Sequence, residues 1–191
     1  MSIALNIAVL VAFLLLAFIS AQMSPNPYGC LTGKDSGYGY NMTQKFYFDP
    51  EWNTCFAFRY YGQGGNLNRY DTSTGCQSAC YMADANVCFG PGRRYAEARD
   101  YARDCHEPQV CPWGYTCRRG FFTLYCCLTR NEVLMNQAYD KRCPDGSKAG
   151  GITQDGHLTV TFARSCNDLI CGRGERCVYV NRSLAKCCGA Q

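Results

Sequence analysis

Lys45-Phe46-Tyr47-Phe48-Asp49, followed by Cys55-Phe56-Ala57-Phe58-Arg59-Tyr60, is the stretch that decides the fold of the N-terminal part of the chain. Phe46 and Phe48 alternate with Lys45 and Tyr47, and Phe56, Phe58 and Tyr60 alternate with Ala57 and Arg59. A period of two puts every second residue on one face, so the pattern predicts two half-buried strands. Asp49-Pro50 lies between them. Pro50 has no N–H to give to a ladder, so the chain turns there and the product is a twisted aromatic hairpin. Downstream, Asp71-Thr72-Ser73-Thr74 offers helix N-cap residues. Cys76 and Cys80 follow four apart, which places both on one face of a short helix.

The cysteines around this stretch run Cys30, 24 residues, Cys55, 20 residues, Cys76, three residues, Cys80. These spacings, with Gly37, the run Lys45 to Asp49, Phe58, Tyr60, Gly65, Asn66, Asn68 and Tyr70, resemble the Kunitz-type protease-inhibitor family. The resemblance implies an α+β domain with bridges Cys30–Cys80 and Cys55–Cys76. About 50 residues bury too little apolar surface to be stable alone. Each bridge is expected to add about 2–4 kcal/mol by restricting the unfolded chain.

The family has six cysteines, and here Gly39 and Gln63 occupy the two remaining positions. In the family a convex loop enters the protease like a substrate, and its primary-specificity residue follows the second cysteine. The resemblance puts Tyr40 there, within a protease-binding loop of Gly39, Tyr40, Asn41 and Met42 flanked by Gln63 and Gly64. A Tyr suits an apolar, chymotrypsin-like pocket. Two features oppose tight inhibition. The loop lacks its bridge, and ordering a loop on binding costs affinity. Asn41-Met42-Thr43 is also an N-glycosylation sequon directly after the scissile position. Cysteines at 39 and 63 are expected to restore the constraint.

Ile7 to Ile19 is an unbroken apolar run closed by Ser20-Ala21, and residues 1–21 read as a signal peptide. The run is short for a membrane span. The mature chain is expected to be secreted and extracellular, with no membrane attachment, and residues 22–27 to form a flexible lead-in. All 16 cysteines follow the leader, and an even, dense set in a secreted chain reads as a disulfide framework. Only His106 and His157 could add nitrogen ligands, so no metal and no cofactor is expected. No nucleophile motif accompanies them, and the chain is not expected to be an enzyme. The net charge of +4 is spread thinly, which excludes a nucleic-acid footprint.

The remainder is an internal repeat. Cys88, Cys105, Cys111, Cys117, Cys126 and Cys127 recur in order as Cys143, Cys166, Cys171, Cys177, Cys187 and Cys188. Cys111-Pro-Trp-Gly114-Tyr-Thr-Cys117 matches Cys171-Gly-Arg-Gly174-Glu-Arg-Cys177. The pattern resembles the lustrin-type cysteine-rich repeats found beside Kunitz domains in secreted nematode proteins. Adjacent Cα atoms lie about 3.8 Å apart, closer than an unstrained bridge allows, so each doublet bonds two different partners. Six cysteines leave 15 connectivities open.

Three small disulfide-rich modules result. They are an inhibitor-like domain (28–82), a twisted hairpin with a short C-terminal helix, and two loop-rich repeats (87–128 and 142–189). Short strands are expected at Phe121–Cys127 and Val178–Cys188. A polar linker (129–141) joins the repeats, partly helical around Asn131–Tyr139. Asn181-Arg182-Ser183 is a second sequon. Cleavage at the dibasic pair Lys141-Arg142 would free the last module unless a bridge crosses the linker. The leading expectation is a secreted serine-protease inhibitor with a serine protease as partner. The competing one is a non-inhibitory extracellular matrix or partner-binding protein.

Overall fold

The computed structural model describes residues 27–81, 87–92, 111–120, 124–154 and 156–189. The expected leader (1–21), most of the expected lead-in, Cys105 and His106 lie outside the described residues. After a one-turn helix α1 (Pro27–Cys30) the aromatic hairpin forms. Strand β1 (Thr43–Asp49) pairs antiparallel with β2 (Thr54–Tyr60), with Phe46 opposite Ala57 and Tyr47 opposite Phe56. Asp49 closes the turn, its Oδ1 accepting from the backbone N–H groups of Glu51 and Trp52 at 3.0 and 3.1 Å. Helix α2 (Ser73–Cys80) starts on Thr72, whose hydroxyl accepts from the Gly75 N–H at 2.9 Å. The bridges Cys30–Cys80 and Cys55–Cys76 tie that helix to α1 and to the hairpin. Asn68 is fully buried and closes the strand edge. It accepts from the Phe48 N–H and donates to the carbonyls of Phe48 and Thr32.

The alternation predicts one wet face, but both faces are covered. Phe46, Phe48, Cys55 and Ala57 form one, under Cys30 and Cys76 of the helices. Tyr47, Phe56, Phe58 and Tyr60 form the other, and pack with Met135, Ala138, Val160, Phe162 and Leu184. The hairpin and the last module therefore share a core. Phe162 meets Phe56 edge-on at 5.7 Å and Tyr139 at 4.8 Å.

Both repeats build the same hairpin after a glycine turn. Strand β3 (Tyr115–Arg119) pairs with β4 (Leu124–Leu128), with Cys117 opposite Cys126. In the last module Phe162 belongs to the two-residue strand β7 (Phe162–Ala163), preceded by a hairpin of β5 (Gly151–Gln154) and β6 (His157–Val160). Strand β8 (Glu175–Asn181) pairs with β9 (Leu184–Gly189), placing Cys177 opposite Cys187, and β7 adds to the free side of β9. Cys88–Cys127 and Cys143–Cys188 join first to sixth, and Cys111–Cys126 and Cys171–Cys187 join third to fifth. Cys166–Cys177 joins second to fourth. Each doublet thus branches to two partners.

One expectation needs correction. The single strand over Val178–Cys188 is a hairpin, because Asn181 Oδ1 accepts from the Ser183 N–H at 3.0 Å and turns the chain. In the stretch 129–141 the helix expected around Asn131–Tyr139 is α3 (Thr129–Tyr139), and it is packed, burying Asn131, Glu132, Met135 and Ala138. Its polar residues are paired. Asn131 donates to the carbonyls of Phe89 and Pro91, and Glu132 holds Arg118 at 2.5 Å and the Phe89 N–H. No bridge among the described residues crosses Lys141-Arg142. Cleavage there would still leave the last module held by the shared core.

Candidate protease-binding loop

The residues singled out by sequence converge at one end of the hairpin. Tyr38 and Gln63 exchange both backbone hydrogen bonds, at 2.9 and 3.0 Å, which lays the segment around Tyr40 beside the segment around Gly64. Tyr61 N–H donates to the Ser36 carbonyl at 3.0 Å, and Met42 N–H to the Tyr40 carbonyl at 3.1 Å. At the base, Asp35 Oδ1 accepts from the Gly37 N–H at 2.9 Å. The Gly64 carbonyl takes hydrogen bonds from the Tyr60 hydroxyl and from Arg69, whose guanidinium also lies 4.2 Å from the centre of the Tyr60 ring. Tyr40 crowns this frame fully exposed, with Tyr38, Asn41 and Met42 exposed beside it.

Two glycines make the close approach feasible. A Cβ on Gly37 would lie 2.0 Å from the Gln63 carbonyl oxygen, and its φ is +61°. Gly39 has φ +111°, and its Cβ would meet the Tyr61 carbonyl oxygen at 2.8 Å. No L residue adopts that conformation without strain. The loop is thus built around glycine rather than merely lacking a cysteine. Placing cysteines at 39 and 63 would force backbone movement before any bridge could close. Gly39→Ala is expected to cost about 1–3 kcal/mol of local strain. In a thermal melt and an amide-exchange map the change should centre on residues 36–42; unaltered exchange there would remove the strain argument.

The last module reaches the flanks of this loop, which sequence reasoning did not show. Lys34 Nζ pairs with Asp168 Oδ1 at 2.6 Å. Gln44 donates from Nε2 to the Asp168 carbonyl at 3.0 Å and accepts from the Ile170 N–H at 2.7 Å. Arg59 directs Nε and Nη2 at the Leu169 carbonyl, at 2.9 and 2.6 Å. These partners lie more than 100 residues apart in sequence, so no local signal marks them. The two sequons differ. Asn41 is exposed, whereas Asn181 spends its amide N–H groups on the Leu134 carbonyl and Gln137 Oε1, both at 3.1 Å. A glycan on Asn181 would displace one of those bonds. Among the described residues no group of three His, Cys, Asp or Glu is placed to hold a metal ion, and no helix is long and apolar enough to cross a membrane.

Residues 29–81 match the sequence profile of the Kunitz/bovine pancreatic trypsin inhibitor domain. The chain is similar to the major allergen Ani s 1 of Anisakis simplex, 28% identical over 159 residues that cover 78% of each chain. It is similar also to a BPTI/Kunitz inhibitor domain-containing protein of Caenorhabditis elegans, 26% identical over 144 residues, 75% of this chain and 78% of the relative. A Kunitz-type serine protease inhibitor of Daboia siamensis is 37% identical over 90 residues, 44% of this chain and 91% of that protein. The first two matches extend well beyond residues 29–81.

Proposed function

Through residues 29–81 this chain belongs to the Kunitz/bovine pancreatic trypsin inhibitor family, and from that premise we infer that it is a secreted serine-protease inhibitor with a chymotrypsin-like preference. Tyr40 carries the reading. It stands fully exposed on a loop whose neighbouring strands are fastened by the Tyr38–Gln63 bond pair. An aromatic side chain presented this way fills an apolar specificity pocket. The surrounding Gly39, Asn41, Met42, Gln63 and Gly64 shape the contact. Family members of this kind are inhibitors and not enzymes. The signal peptide and the lustrin-type character of the two repeats complete the reading of a secreted, multi-module chain.

The test is titration of the full chain against chymotrypsin and trypsin. Chymotrypsin should be inhibited and trypsin inhibited less. Tyr40→Ala should weaken chymotrypsin inhibition by about 100-fold or more, as for a central aromatic anchor. Equal inhibition by the two forms would remove Tyr40 from the contact.

One observation favours a second reading, a non-inhibitory extracellular binding protein. Asn41 is exposed immediately after Tyr40 and sits in a sequon, so a glycan there would stand where a protease must approach. Comparing enzymatically deglycosylated with glycosylated protein in the same assay separates the two. If neither form inhibits any serine protease, the binding-protein reading replaces the inhibitor one.

A further inference from the structure

Three residues flank the two loops of the candidate site, and all three are held by one short segment of the last module. Lys34 lies just before Ser36, where the exposed loop begins. Gln44 lies just after Met42, where it ends. Arg59 lies just before Tyr61, where the neighbouring loop begins. Asp168 takes Lys34 through an ion pair, Asp168 and Ile170 together take Gln44 through a two-bond amide clamp, and Leu169 takes Arg59 through a forked guanidinium contact. The segment itself is anchored at both ends. Leu169 is buried, and the bridges Cys166–Cys177 and Cys171–Cys187 fasten both of its ends.

From this arrangement we propose that residues 168–170 brace the inhibitory loop from outside the inhibitor domain, doing the work of the bridge that Gly39 and Gln63 cannot form. A loop fixed at its bases loses less freedom on binding and so binds more tightly. The family's third bridge fixes the loop at its crest, between positions 39 and 63. Here the Tyr38–Gln63 bond pair joins the two segments near the crest, and the constraint has moved to the bases. Gln44 is the central positioning residue. It also donates to the Phe58 carbonyl at 2.8 Å, so one side chain joins both strands of the hairpin to the last module. The proposal rests on the inhibitor reading for its purpose, but not for its test.

Amide hydrogen exchange on the full chain reads the brace without any protease. In the wild type the hydrogen-bonded amides of Tyr38, Tyr61 and Gln63 should be protected. In Gln44→Ala they should exchange about tenfold faster or more, while amides of Phe46, Phe56 and Phe58 keep their protection. Lys34→Ala is the second variant, and its effect should concentrate on Tyr38. Arg59→Lys keeps the charge, loses the fork, and should free Tyr61 and Gln63. Unchanged loop exchange in all three overturns the brace. Uniform acceleration across core and loop in all three overturns it as well, since that is a merely structural role. If the wild type inhibits, Gln44→Ala should raise its inhibition constant about tenfold. A wild type that shows the exchange pattern yet inhibits nothing supports the brace and removes the inhibitor reading.

Discussion

Lys186→Met is expected to lower the unfolding free energy by about 3 kcal/mol or more, by removing the buried donor shared by three backbone carbonyls. Lys186 is completely buried on β9. Its ammonium donates to the carbonyls of Gln137, Asp140 and Arg142 at 3.0, 2.6 and 2.8 Å. Those carbonyls belong to the C-terminal end of α3 and the turn after it, where a helix leaves its last acceptors unmatched. Lysine suits the position because its three N–H groups match three converging acceptors and its positive charge suits the negative end of the helix. Burial pulls the amine's pKa below the ordinary lysine value, and the Asp140 carboxylate opposes that. Methionine keeps the volume and removes every donor. At this chain length the loss should lower the melting temperature by roughly 6–12 °C. Denaturation of disulfide-intact protein measures it, and a loss below about 1 kcal/mol would mean that water replaces the ammonium.

Phe162→Ala should be comparably severe and should change how the molecule unfolds. Phe162 sits between Phe56 of the hairpin and Tyr139 of α3, and Phe56 and Phe162 pack in the core that the inhibitor domain shares with the last module. Removing a buried aromatic ring costs about 3–5 kcal/mol through lost contacts and the cavity left behind. Much of that loss falls on the joint between modules, because β7 is only two residues long and anchors little else. The wild type should unfold in one transition. The variant should show the inhibitor domain and the last module melting separately. Trp52 reports the joint. It is buried against Phe56 and lies under the Arg164 guanidinium, whereas Trp113 is fully exposed and contributes a constant signal. Trp52 fluorescence in the variant should shift before the far-UV signal of the strands is lost. A single transition with coincident probes would show that the modules hold together without this ring.

Much was legible in the sequence because it is local. The alternation of Phe46 to Phe48 and Phe56 to Tyr60 gives two strands, since side chains on an extended chain must alternate. Thr72 caps α2 because a hydroxyl just ahead of a helix reaches its free N–H groups. The cysteine doublets branch because neighbouring Cα atoms are too close to bridge. The place of Tyr40 and its loop came with the family resemblance. The β5–β6 hairpin also had a local signal, the Asp155-Gly156 pair in the sequence between the two strands, which the sequence analysis did not use.

Tertiary structure alone decided the rest. Alternation names the faces of a hairpin but not what covers them, and the second face is covered by residues about a hundred positions later. Helix α3 is legible as a partly helical stretch, but its packing is not, because two of its four buried positions are Asn131 and Glu132. Their partners come from Phe89, Pro91 and Arg118 and appear in no local window. The register of Cys177 against Cys187 helped select one pairing from the many that spacing allowed. Gly39 reads in sequence as an absent cysteine. Only its backbone conformation, with φ +111°, shows why a side chain there would be strained, and only the fold brings residues 168–170 to the bases of the loop. Strands, caps and doublets follow from bonds between near neighbours, which composition encodes directly. A brace, a shared core or a buried lysine depends on atoms meeting across the chain, and the folded backbone sets those distances.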